Sequence, residues 1–189
     1  DLLGDSQTGA PFNANAMDIY AAWNGSRDRD RAAVARGEAL FNTRHLSIEG
    51  VGGINDNPAF GSPAHLDGTC STCHDSPNAG SHSVSVPLNI GVVDASRRQP
   101  DQVLYTFRNI ATGETVSVTD PGRALVTGKW ADMGKFKGPV LRGLAARAPY
   151  FHDGSGTSLA AVVDFYNTRF SMHLSSGEKS DLVAFLRTL

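Results

Sequence analysis

The 189-residue sequence is short of three things: cysteine, an excess of either charge, and long apolar runs. Its 17 Lys and Arg stand against 19 Asp and Glu, a formal net charge of −2. That balance lacks the basic footprint by which nucleic-acid binders hold phosphate. No stretch approaches the roughly 18 apolar residues that a membrane span needs. Neither nucleic acid nor membrane insertion is therefore expected. Two cysteines cannot form a disulfide framework, and a chain this long, burying roughly 70% of its unfolded surface, folds without one. Hydrophobic residues make up 40% and charged residues 19%, the profile of one soluble globular domain. What is plentiful is glycine: 20 of them, with 9 prolines, point to many loops, and not to disorder, because aromatic and branched residues remain common.

Residues Asp1–Asp28 are rich in Asn, Ala and Gly, with Phe12, Met17, Ile19, Tyr20 and Trp23 as apolar anchors. They read as an irregular arm (1–28) on a single domain (29–189), and lack the basic start and apolar core of a signal peptide. From Asp30 to Phe41, Val34, Leu40 and Phe41 oppose a charged side, which predicts a helix. A Gly/Asn/Pro stretch from Thr43 to Thr69 has almost no period; loops this long are usually functional or wrapped round something. Alternation at Val103, Tyr105 and Phe107, the turn Ala111–Glu114 and the run Thr115–Val118 predict one small hairpin. Leu159, Val162, Val163 and Tyr166 fall at i, i+3, i+4 and i+7, as do Leu182, Phe185, Leu186 and Leu189, each set one apolar helix face. Ser175 and Glu178 are spaced as a capping box before the last helix. The expected class is mainly α, with long loops and one hairpin.

Both cysteines lie in Cys70-Ser71-Thr72-Cys73-His74, the C-x-x-C-H pattern of covalent c-type haem attachment. Two thiols three positions apart reach the two vinyl groups on one porphyrin edge, and the adjacent histidine turns its imidazole toward the iron. Chance would produce this arrangement from two random cysteines roughly three times in ten thousand. A redox C-x-x-C pair would sit in a βαβ setting, absent here. A zinc site would need two more ligands at metal spacing, and a plain disulfide is the remaining alternative. One covalent haem c is the expected cofactor, with His74 as proximal ligand, and it gives the Thr43–Thr69 stretch something to wrap.

Further segments carry a family resemblance. Asp120-Pro121-Gly122-Arg123, Gly134-Lys135-Phe136-Lys137-Gly138-Pro139-Val140-Leu141-Arg142 and Ala148-Pro149-Tyr150-Phe151-His152-Asp153-Gly154-Ser155 resemble the bacterial dihaem cytochrome c peroxidases and MauG-type enzymes. So do Arg36-Gly37-Glu38-Ala39-Leu40-Phe41 and the closing helix from Glu178 to Leu186. The chain resembles the C-terminal, electron-transferring half of those two-haem proteins. The resemblance implies a cytochrome c-like domain that passes or stores electrons.

The sixth iron ligand decides the chemistry: methionine raises the potential, tyrosinate lowers it, and a vacant site admits peroxide or small ligands. The resemblance suggests Tyr166, at about the place where dihaem peroxidases carry methionine and MauG-type proteins tyrosine. A tyrosine on an apolar helix face is otherwise core. Met172, just before the last helix, is the choice suggested by small single-haem cytochromes, and is otherwise a gap filler. Met133 and His82 are weaker alternatives, with Met17 also present. His152 is placed to orient a haem propionate, to line an electron path or to fix a tight turn. Arg142, Arg147, Lys135 and Lys137 are placed to pair with propionates or to form a basic docking rim. His45, His65 and His173 sit in polar loops and are expected to face solvent. The expected function is periplasmic or secreted electron transfer by a monohaem c-type cytochrome, with another cytochrome, a cupredoxin or a haem enzyme as redox partner. The alternative is a haem peroxidase or oxidase with an open or displaceable sixth site.

Overall fold

The computed structural model describes residues 18–74 and 83–189. Helix α1 (Arg29–Thr43) begins where Asp28 accepts hydrogen bonds from the backbone N–H groups of Asp30 and Arg31. Ahead of it, the short 3₁₀ turn Ala21–Trp23 lies against α1, with the Tyr20 ring 6.3 Å from Phe185. Strands β1 (Leu46–Ile48) and β2 (Leu66–Gly68) pair antiparallel, and the one-turn helix α2 (Cys70–Cys73) follows at once. Strands β3 (Tyr105–Arg108) and β4 (Thr115–Val118) form a second two-stranded sheet. Helices α3 (Ala124–Thr127), α4 (Leu159–Arg169) and α5 (Ser176–Leu186) complete the order.

The long helices form where sequence periodicity places them, and the predicted capping box is present: Ser175 accepts from Glu178 N–H, and the Glu178 carboxylate accepts from Ser175 N–H at 2.8 Å. The architecture is nevertheless more mixed than a mainly α chain with one hairpin. Five α-helices among the described residues are accompanied by two small sheets, and β1–β2 lies inside the stretch that shows almost no period. Its strands are three residues long, too short for an alternation of period two to register.

The core is organised by the packing of α1 on α5. At the crossing stands Gly37, where a Cβ would lie 2.0 Å from the Asp181 carbonyl oxygen, so no larger residue fits without moving a helix. Arg36, next to it, makes two parallel bonds to the Asp181 carboxylate at 2.7 and 2.8 Å. Glu38 is 3% exposed and accepts from Tyr20 N–H at 3.0 and 3.1 Å, fastening the chain before α1 to the helix. Burial raises the carboxyl of Glu38 above its ordinary range, and those backbone bonds oppose it. Phe41 packs on Phe185, ring centres 5.6 Å apart. Thus Arg36 to Phe41, fewer than two turns of α1, carries the contacts that fasten the helix to α5 and to the chain before it.

Candidate functional site

In α2, residues three apart share a helix face, which sets both thiols toward one side. Thr72 accepts from Thr69 N–H at 2.9 Å, Ser71 donates to Asn42 of α1 at 2.8 Å, and Val84 N–H donates to the Cys73 carbonyl at 2.9 Å. The short helix is therefore held from three directions. His74 closes it, its N–H donating to the Cys70 carbonyl at 2.9 Å.

Cys70, Cys73 and His74 open onto a cavity of about 410 Å³. Its walls come from distant parts of the chain: Phe41 of α1, Leu46 and Ile48 of β1, Phe136, and Tyr166 of α4. The inner face of β1 thus forms one wall, while Ser47 points outward. A volume of this size with apolar walls and few polar groups is typical of a cofactor site.

Electrostatics fix the state of the donors. Burial pushes the Cys70 thiol up to about 12, with a smaller push from Cys73, and the Cys73 thiol up to about 11. Both cysteines are free and, at neutral pH, protonated. Burial drives His74 down to about 4, although its bond to Pro139 works the other way. The ring is neutral. Its Nδ1 lies 3.2 Å from the Pro139 carbonyl oxygen. A carbonyl only accepts, so Nδ1 carries the proton and Nε2 keeps its lone pair for an axial bond. The donor set of two buried thiols and one oriented neutral imidazole on an apolar cavity fits a c-type haem. Among the described residues no three of His, Cys, Asp and Glu are grouped to hold an ion by side chains alone.

Both leading distal residues reach the cavity. Tyr166 is held by Phe170, stacked at 5.7 Å, and by the edge of Phe165 at 5.4 Å. Burial raises its hydroxyl well above the ordinary tyrosine value, and the nearby cysteines add to the rise. Met172, 3% exposed, lines the same space. Met133 does not line it, and Met17 and His82 lie outside the described residues. His152 reaches the rim; its Nδ1 is 2.6 Å from Asp120 and its ring 4.4 Å from Phe136. The geometry joins the Asp120–Arg123 and Ala148–Ser155 segments through that pair. Arg142, expected beside the cofactor, is exposed and does not line the cavity, whereas Arg147, which donates to the Arg142 carbonyl, does. Lys137 lines the cavity and donates to Ser83, while Lys135 pairs with Asp56 at 3.3 Å. His45 and His65 are exposed and bonded to Asp67, and His173 is exposed. The residue that sequence reasoning missed is Pro139: its part is played by a backbone oxygen, for which no side-chain pattern exists.

Similarity to known proteins agrees with this chemistry. The chain is 36% identical over 136 residues to the cytochrome-c peroxidase IdrP2 of Denitromonas iodatirespirans, covering 65% of this chain and 36% of that protein. It is 31% identical over 192 aligned positions to the cytochrome-c peroxidase IdrP1 of Pseudomonas sp. strain SCT, covering 92% of this chain and 43% of that protein. A 65-residue segment, 29% of this chain and 18% of its relative, is 45% identical to the methylamine utilization protein MauG of Methylorubrum extorquens. The chain belongs to the dihaem cytochrome c peroxidase and MauG-type family. It spans well under half the length of these curated relatives. No family model matches it, and no solved structure matches it. The segments that resembled the peroxidases in sequence now have places: Arg36–Phe41 at the helix crossing, Gly134–Arg142 beside His74, and Ala148–Ser155 at the rim.

Proposed function

We propose that this chain is a cytochrome c-like domain with one covalent c-type haem, working in electron transfer on the periplasmic side of a bacterial membrane or outside the cell. The observation that carries the reading is the neutral His74 ring, its Nδ1–H tied to Pro139 and its Nε2 free, between two protonated thiols on one apolar cavity. Bound haem supplies one-electron redox chemistry. Cys70 and Cys73 would hold it through thioether bonds, His74 would ligate its iron, and Tyr166 or Met172 would be the second protein ligand. Phe41, Leu46, Ile48 and Phe136 keep water from its faces, while Arg147 and Lys137 bring positive charge to its edge. The redox partner is another cytochrome, a cupredoxin or a haem enzyme. Among the described residues, no helix is long and apolar enough to cross a membrane.

Visible spectra of the wild type beside Tyr166→Phe and Met172→Ala test cofactor and ligand together. A haem c spectrum is expected. If Met172 is the ligand, its loss abolishes the red charge-transfer band of methionine-ligated ferric haem; if Tyr166 is, the phenylalanine variant changes spin state. A colourless protein with two titratable thiols would overturn the assignment. The presence of two distal residues on one cavity also supports a displaceable sixth ligand, as in a peroxidase. A wild-type ferric spectrum that shifts on adding peroxide or cyanide would favour that second reading.

A further inference from the structure

A second recess lies on the far side of Phe151. Its volume is about 280 Å³, and it is lined by Ser96, Arg97, Arg98, Gln99 and Ser155 with the Phe151 ring as a shared wall to the large cavity. Neither arginine forms an ion pair with a carboxylate among the described residues. Arg97 is fixed in place: its guanidinium lies 5.0 Å over the Phe151 ring and 4.2 Å over Phe165, and it donates to the Val92 carbonyl and the Ser155 hydroxyl, each at 3.2 Å. Arg98 donates to the Ser117 carbonyl, and its buried Nε has no acceptor among the described residues. The acidic group nearest in the chain to Ser155, Asp153, is occupied by Gln102 at 3.1 Å and by Ser155 N–H at 3.0 Å.

Two guanidinium groups that line one recess, both half-buried and neither ion-paired among the described residues, are costly unless an anion reaches them. Two serine hydroxyls and an amide beside them supply the further donors that a tetrahedral or planar oxyanion takes up. The recess has room for an anion of a few heavy atoms, and the stacked rings prevent Arg97 from swinging out to solvent. We propose that this recess is a binding site for a small oxyanion of the phosphate or carboxylate class, separate from the haem cavity and sharing only the Phe151 wall with it.

Titration calorimetry of the holoprotein with inorganic phosphate at low ionic strength tests the proposal. One site is expected, weakened by at least about tenfold in Arg98→Gln. Ser96→Glu is the second variant: Ser96 is exposed, so the fold is preserved, and a carboxylate in the recess is expected to weaken phosphate by a similar factor. Arg142→Gln, on exposed surface away from the recess, is expected to bind as the wild type does. Absence of phosphate binding in the wild type, or binding that Arg98→Gln and Ser96→Glu leave intact, would overturn the proposal.

Discussion

The helix crossing and the second hairpin are built by opposite means. At the crossing of α1 and α5, each residue is fixed by something distant in sequence: Gly37 by the Asp181 carbonyl, Arg36 by the Asp181 carboxylate, Phe41 by Phe185. The hairpin β3–β4 is fixed mostly by its own neighbours, with Val118 buried at its end and Arg98 donating to the Ser117 carbonyl from outside. Asn109 N–H donates to the Glu114 carbonyl, Gly113 N–H donates back to Asn109, and the Thr106 and Ser117 hydroxyls meet at 2.8 Å across the strands. Its apolar residues Val103, Leu104, Tyr105 and Ile110 stay exposed. One region thus draws its stability from burial and the other from local turn chemistry, and the cofactor cavity is attached to the first.

That contrast yields graded expectations. Phe185, with no exposed surface, is the extreme of the buried side, and Phe185→Ala is expected to cost about 3–5 kcal/mol in urea denaturation. Gly37→Ala adds one methyl group against backbone that cannot yield, for an expected loss of about 1–3 kcal/mol by the same measurement. Ser175→Ala removes one arm of the capping box before α5 and is expected to cost about 1 kcal/mol. On the hairpin, Ile110 is fully exposed, and Ile110→Ser is expected to change stability by less than about 0.5 kcal/mol. A large loss there would show that the hairpin is covered in solution and would break the comparison.

The smallest effect belongs to the outer face of β1–β2, where His65 is bonded to Asp67 at 2.7 Å and to Glu49 at 2.9 Å. These bonds, Asp67 first, raise its pKa above the ordinary histidine value. The direction is that of a cation favoured by folding: the contribution is fully present below the unfolded histidine value and is lost as pH rises through the higher folded one. Titration by nuclear magnetic resonance is expected to place His65 above free histidine, and Asp67→Asn to bring it down. All three groups are exposed, so little stability is at stake.

Legibility in the sequence followed the range of the interactions. The helices, the capping box and the hairpin turn were visible because periodicity and turn chemistry act within a few residues. The C-x-x-C-H motif was visible for the same reason: five consecutive residues carry its geometry. The β1–β2 sheet was hidden by its three-residue strands, and only the folded chain shows Arg147 and not Arg142 lining the cavity. His152 could be marked as a residue that orients a propionate, lines an electron path or fixes a turn, but its partner Asp120 lies 32 positions away, and only packing brings them to 2.6 Å.

By itself, then, the sequence determined the C-x-x-C-H motif, the long helices and the family, since each rests on contiguous residues whose types are constrained by covalent geometry or helical period. Tertiary structure alone decided which lone pair of His74 is free, which side chains enclose the cavity, and that a recess lined by Arg97 and Arg98 shares the Phe151 wall with it. Those outcomes depend on groups, among them a proline carbonyl and a phenylalanine ring, whose chemistry is ordinary anywhere else in a chain and acquires meaning only from what lies across from it.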